Sequence, residues 1–222
     1  MLTKQSAKFR LPAILAAAGL ALAGCGSEDG QEQEAQDHTE GGGAEGEGAQ
    51  PDERTGPFAT AELMDADAET IGQVEFYDRD AQTEVVALVE DFDPGFYGFH
   101  IHAIGECEPD SEDPNDPENT GDFLSAGGHL TADDAEDHPE HAGDMPPLHV
   151  NEDGTATMSF HTDRLDESLL IEGEEGTAVM VHSDPDNFAN VPERYLDGDE
   201  PDEDTLNTGD AGDRLACGVI EG

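Results

Sequence analysis

Gly98-Phe99-His100-Ile101-His102 closes an apolar run that begins near Phe92. On a β-strand successive side chains point to opposite faces, so His100 and His102 share one face while Phe99 and Ile101 take the other. Two imidazoles then point at one place. Neutral imidazole suits Cu, Zn, Fe and Ni, so the pair reads either as half of a metal site or as two surface histidines on a half-exposed strand.

Working outward, short apolar segments rich in β-branched or aromatic residues recur between turn residues. They are Phe58 to Met64, Thr70 to Tyr77, Thr83 to Val89 and Gly95 to His102, then Leu148 to Val150, Thr155 to Phe160, Thr177 to His182 and Leu215 to Ile220. Their spacing predicts an all-β, antiparallel sandwich or barrel, with no helix required and no internal repeat. Two long connections rich in Asp, Gly and Pro interrupt the strands, Gly105 to Pro147 and Ser183 to Asp213. Connections of that length inside a compact domain are functional or disordered.

Before Pro57 the chain reads differently. Lys4, Lys8 and Arg10 precede an apolar run from Leu11 to Ala23, short for a membrane span and suited to an export signal over residues 1–24. Leu22-Ala23-Gly24-Cys25 resembles a bacterial lipobox, in which cleavage leaves the cysteine lipid-modified on the outer face of a membrane; an ordinary secretory signal with an incidental cysteine is the other reading. Residues 25–56 hold no apolar run and are filled with Gly, Glu, Gln and Asp, which predicts a disordered acidic tether spanning about 30 Å root-mean-square. His38 lies in it without an evident partner. Export places Cys107 and Cys217 where they are free to pair, and with Cys25 lipidated the count leaves one bridge and no spare thiol.

The chain carries 55 acidic residues against 8 Lys plus Arg, a formal net charge of -47. Beyond residue 24 the fixed cations are Arg54, Arg79, Arg164, Arg194 and Arg214. No basic patch can be assembled from these, which excludes nucleic acid as a partner. Such a surface suits high salt, where the Debye length shrinks to about 3 Å near 1 M; the rival meaning is general disorder.

The first long connection brings further candidate ligands: His129 in Ser125-Ala126-Gly127-Gly128-His129, then His138, His141 and Asp144. His182 ends Met180-Val181-His182, and Arg214 and Cys217 lie in Thr208-Gly209-Asp210-Ala211-Gly212-Asp213-Arg214-Leu215-Ala216-Cys217-Gly218-Val219-Ile220. Six histidines and an aspartate in one exported β-domain form the kind of set that metals select.

From about Pro57 onward, residues 57–222, these motifs in this order resemble the bacterial copper–zinc superoxide dismutase family. Gly98-Phe99-His100-Ile101-His102 with Cys107 is similar to the family's copper strand and first disulfide cysteine. Ser125 to His129 resembles the segment with the metal-bridging histidine, and Asp186-Asn187-Phe188-Ala189-Asn190-Val191-Pro192 looks like actinobacterial members. The resemblance implies a Greek-key, eight-stranded barrel with two long functional loops. It further implies copper on His100, His102, His129 and His182, and dismutation of superoxide to oxygen and peroxide by alternating Cu(II) and Cu(I). Arg214 would dock the anion, His129 would donate a proton, and a Cys107–Cys217 bridge would anchor the first long loop.

Zinc would fall to His129, His138, His141 and Asp144, a closed four-ligand set. His138 stands three residues before His141, where the family places a longer excursion. A loop that still reaches closes the zinc site, and one that does not leaves His138 in solvent. Asp186 matches the family's carboxylate linking a copper ligand to a zinc ligand, although an idle aspartate in so acidic a loop fits almost as well. His149 and His161 match no ligand and read as half-exposed strand-end residues. A non-enzymatic copper-binding surface lipoprotein is the alternative function, and a metal-free structural β-domain a third. Membrane contact would run only through lipid on Cys25, and monomer and homodimer both stay open.

Overall fold

Alternation of apolar and polar residues builds the strands. In β3 (Gln82–Val89), and in β2 (Thr70–Arg79) from Val74 onward, the buried positions recur every second residue, so Val74, Phe76, Val85 and Ala87 enter the core while their neighbours face outward. The computed structural model describes residues 56–132, 137–196 and 200–222. The expected export signal, Cys25, His38 and the tether up to residue 55 lie outside the described residues.

β1 (Ala59–Asp65) turns into β2 through a loop in which Asp65 Oδ1 accepts from the amides of Asp67 and Glu69, both at 2.9 Å. A local carboxylate cap of this sort substitutes for a ladder bond where the chain reverses. β4 (Gly95–Tyr97), β5 (Phe99–His102), β8 (Leu148–Val150), β9 (Ala156–Thr162), β10 (Ala178–His182) and β11 (Arg214–Val219) supply the other expected strands. Between β5 and β8 the chain forms a further hairpin, β6 (Ser111–Asp113) and β7 (Asp116–Gly121). Its sequence is polar throughout, so no apolar alternation announces it.

The main sheet is antiparallel, seven-stranded and ordered β5-β10-β11-β1-β2-β3-β9, and β4 pairs separately with β8. β4 and β5 are one expected strand broken at Gly98, whose carbonyl accepts from His182 N while its amide donates to Asp184 O, each at 2.8 Å. A Cβ at Gly98 would stand 2.6 Å from that of Ala211, so only glycine lets the two segments approach. Counting β4 and β5 as one, the eight expected segments are all present, with the crossings of an antiparallel Greek-key barrel. Phe99, Ile101, Val179 and Val181 pack with Leu63, Phe76 and Leu148 in the interior.

Two short helices were not expected from the sequence. α1 (Glu167–Ile171) is capped by Asp166, which accepts from Leu169 N, and α2 (Glu203–Thr208) by Asp202, which accepts from Thr205 N. One turn or so of helix is too short to leave a periodic signal, and local capping stabilises it.

Candidate metal centre

β5 delivers His100 and His102 to one face and Phe99 and Ile101 to the core, with all four buried. His182 stands at the end of β10, past a register shift, and pairs across the strands with Arg214. His129 follows a short turn at Leu124–Ala126 and bridges directly to His102. Four histidines from distant parts of the chain thus converge, and one ring nitrogen from each lies within 4.8 Å of the others.

Their hydrogen bonds assign the protons. His102 Nδ1 donates to Gly127 O at 2.8 Å, and His182 Nδ1 faces Gly212 O at 3.3 Å. A carbonyl only accepts, so both Nδ1 atoms carry hydrogen and both Nε2 atoms carry lone pairs. Those two Nε2 atoms are 3.3 Å apart, where neither can donate to the other. His100 donates from Nε2 to Asp186 Oδ2 at 2.9 Å, leaving Nδ1 buried without a hydrogen bond. His129 donates from Nδ1 to Asp144 Oδ1 at 2.8 Å, leaving Nε2 in the same condition. Four buried lone pairs facing one another are unfavourable unless a cation sits among them.

A second convergence adjoins the first. Asp144 Oδ1 also stands 3.0 Å from His138 Nδ1, and Oδ2 stands 3.3 Å from His141 Nδ1, although neither contact has the angle of a hydrogen bond. His100, His129, His138 and Asp144 form a tight second group; His141 lies just outside it and approaches through Asp144. The shortened loop does not leave His138 in solvent: it is only 2% exposed and stands against Asp144. Asp186 Oδ1 accepts from His138 Nε2 at 2.8 Å, so one carboxylate ties His138 to His100.

Charge follows this arrangement. Burial drives His102 and His182 well below the usual histidine range, and it drives His129 down to about 4 against the pull of Asp144. Burial opposes the charged form of His138 too, but the carboxylate of Asp144 at 3.0 Å and the hydrogen bond to Asp186 outweigh it and raise His138 to about 9. Burial likewise works against both carboxylates, and their histidine partners still hold Asp144 and Asp186 far below the usual carboxylate range. A pair of buried carboxylates around His138 demands positive charge. A divalent ion held among His129, His138, His141 and Asp144 would supply it.

Arg214 borders the first group. Its Nη1 donates to Phe123 O at 2.6 Å and its Nη2 to Gly127 O at 2.7 Å, so Gly127 O joins Arg214 to His102. Burial lowers Arg214 only to about 10, and it stays charged at neutral pH. With His102, His129 and His182 it lines an open cleft of about 460 Å³, rimmed by Asn207 and Thr208 from the end of α2.

Cys107 and Cys217 are joined, with Cα atoms 5.6 Å apart. His149 and His161 are exposed and join neither group: His149 lies on the Phe96 ring, with centroids 4.6 Å apart, and His161 stands across the strands from Glu84. The carbonyl of Gly127 and the left-handed Gly209 are participants that residue-type reasoning missed. Both glycines stand inside the quoted motifs, which was the one available signal.

Residues 70–220 match the family model described as Copper/zinc superoxide dismutase (SODC). The chain is 47% identical over 131 residues to Superoxide dismutase [Cu-Zn] of Mycolicibacterium paratuberculosis, covering 57% of this chain and 56% of that protein. The Mycobacterium tuberculosis protein of the same name gives 47% over 131 residues and 53% of its length, so the match spans about half of these relatives. Against the Escherichia coli K12 protein of that name, identity is 34% over 158 residues, covering 69% of this chain and 80% of the other. Among solved structures, Cu/Zn superoxide dismutase from Brucella abortus superposes with a TM-score of 0.57 at 25% identity, covering 73% of this chain and 99% of that one.

Proposed function

Since the chain belongs to the copper/zinc superoxide dismutase family, we propose that it dismutates superoxide to oxygen and hydrogen peroxide outside the cytoplasm. The observation that carries this reading is the set of four buried ring nitrogens opening on a cleft beside one guanidinium. His100, His102, His129 and His182 would hold copper, and nitrogen donors in that number suit Cu(II). When bound, copper supplies a one-electron couple, through which one superoxide becomes oxygen and another, with two protons, becomes hydrogen peroxide.

The chain's own residues do the rest. Arg214 keeps its position through two carbonyls and has N–H groups to spare for a small anion at the mouth of the cleft. His129 holds its Nδ1 against Asp144, and its Nε2 is the atom that would carry a proton toward the departing peroxide. His129, His138, His141 and Asp144 would hold zinc, whose part is to stiffen the loop. Asp186 orients a histidine of each set. The disulfide suits an oxidising compartment. Within that compartment, the basic start, the apolar run and Leu22 to Cys25 support residues 1–24 as a lipoprotein signal, Cys25 as the lipid anchor, and 25–56 as a tether to the domain at 57–222.

Metal analysis of the purified protein paired with a superoxide-decay assay is the test. One copper and one zinc per chain with fast decay is the expected result. Copper bound at the four histidines without faster decay would favour the non-enzymatic copper-binding lipoprotein. No copper uptake by a stable fold would leave a structural β-domain.

A further inference from the structure

Arginine is scarce here, and three of the four described arginines act close to home or at the cleft. Arg79 pairs with Glu84 at 2.9 Å, Arg194 lies over the ring of Tyr195 at 4.7 Å, and Arg214 borders the four histidines. Arg164 does something else. It follows β9, and its Nη1 donates to Pro139 O at 2.7 Å and to His141 O at 3.3 Å. In a chain with 55 acidic residues, an exposed guanidinium is drawn to carboxylates, yet the Nη1 of this one is committed to neutral backbone oxygens.

Those two carbonyls flank Glu140 in the segment that presents His138 and His141 within three residues of each other. The segment is tied at its ends: His138 N donates to Leu206 O at 2.7 Å, and Gly143 N to Leu130 O at 2.9 Å. Between them the bonds are local: Glu140 N reaches Asp137 O at 2.9 Å, His141 N reaches Asp144 Oδ2 at 3.0 Å, and Asp144 N returns to His141 O at 3.2 Å, so Arg164 is what ties the turn to the strand outside it. A peptide plane is rigid, so fixing the oxygens of Pro139 and His141 fixes two planes. That in turn limits the directions in which the rings at 138 and 141 leave the backbone.

We propose that Arg164 is a positioning residue for zinc, a clamp that holds the short His138–His141 turn so that both Nδ1 atoms meet Asp144. The inference rests on the zinc reading above. It explains how a turn without the family's longer excursion still aims two histidines at one carboxylate: a side chain from the neighbouring strand end braces it from outside.

The test uses the full chain with Arg164→Gln and Arg164→Lys. Zinc affinity is measured by competition with a chelator, the ligand geometry by the visible bands of Co(II) bound in place of zinc, and folding by the melting temperature of the metal-free protein. Arg164→Gln should weaken zinc about 10- to 100-fold and alter the cobalt bands, with metal-free melting unchanged. Arg164→Lys, which keeps a charged donor, should recover part of the affinity. Native-like zinc affinity and cobalt bands in Arg164→Gln would overturn the proposal, as would an equal loss of melting temperature with and without metal. A native chain that takes up neither zinc nor cobalt would overturn the zinc reading itself, and the clamp with it.

Discussion

Asp186 Oδ1 and His138 Nε2 lie 2.8 Å apart, both buried. A carboxylate only accepts, so Nε2 carries a proton and Nδ1 is the ring atom turned toward Asp144. The second oxygen of Asp186 does the same for His100. Asp186→Asn keeps the size but removes the charge from both rings, and with one acceptor oxygen in place of two it leaves one ring without the acceptor that fixes its tautomer. Calorimetric titration should show zinc and copper each bound about 10- to 100-fold more weakly. Gly209→Ala should act alike by a different route, since a methyl there would stand 2.6 Å from His138 Nε2 and collide with Asp186 Oδ1.

Arg214 touches no ligand lone pair, so Arg214→Glu should leave copper content unchanged while slowing superoxide decay by about tenfold or more, the scale of a lost charge-assisted hydrogen bond. Parallel metal analysis and decay rates check this; an unchanged rate would remove Arg214 from anion docking.

Ionic strength probes the same cleft from a distance. A body carrying a formal charge of -47 repels an anion at low salt, and salt screens that repulsion. Activity should therefore rise, or at least hold, as salt is added. A steep fall between low and moderate ionic strength would show that the local field of Arg214 governs encounter instead.

Acid should destabilise the metal-free protein well above the carboxylate range. His102, His182 and His129 are held below the ordinary histidine value, His129 at about 4, chiefly by burial. The unfolded chain takes up protons as pH falls through about 6.5 while these three stay neutral in the fold. Stability is thus full above 6.5 and falls by about 1.4 kcal/mol per pH unit for each histidine that remains neutral. His138, raised to about 9, has the opposite sign: its contribution is complete below 6.5 and is lost as pH rises through 9, so it leaves the acid slope unchanged. Urea midpoints at pH 7, 6 and 5 measure the slope.

The Cys107–Cys217 bridge spans 110 residues, for which chain entropy sets an upper figure of about 4 to 5 kcal/mol. It also anchors the segment whose Phe123 and Gly127 carbonyls hold Arg214. Reduction should lower the denaturation midpoint and weaken binding of a small anion more than binding of copper. Equal losses of both would place the effect in global unfolding.

The chain's local pattern was enough for the eight strand segments, the shared face of His100 and His102, and the spacing His141 to Asp144, because alternation and short motifs are written in consecutive residues. It was silent on the β6–β7 hairpin and the two one-turn helices, whose stability comes from caps and backbone bonds rather than apolar period. Whether His138 belonged to the site was open for the same reason: spacing along the chain says nothing of a carboxylate 48 residues away or a guanidinium 25 residues beyond Pro139. Only the fold brings Asp186, Gly209 and Arg164 to that turn, since their contacts are made across closed loops. Which ring nitrogen of each histidine keeps its lone pair is likewise decided by tertiary neighbours, and that choice is what lets these imidazoles be read as two candidate metal sites.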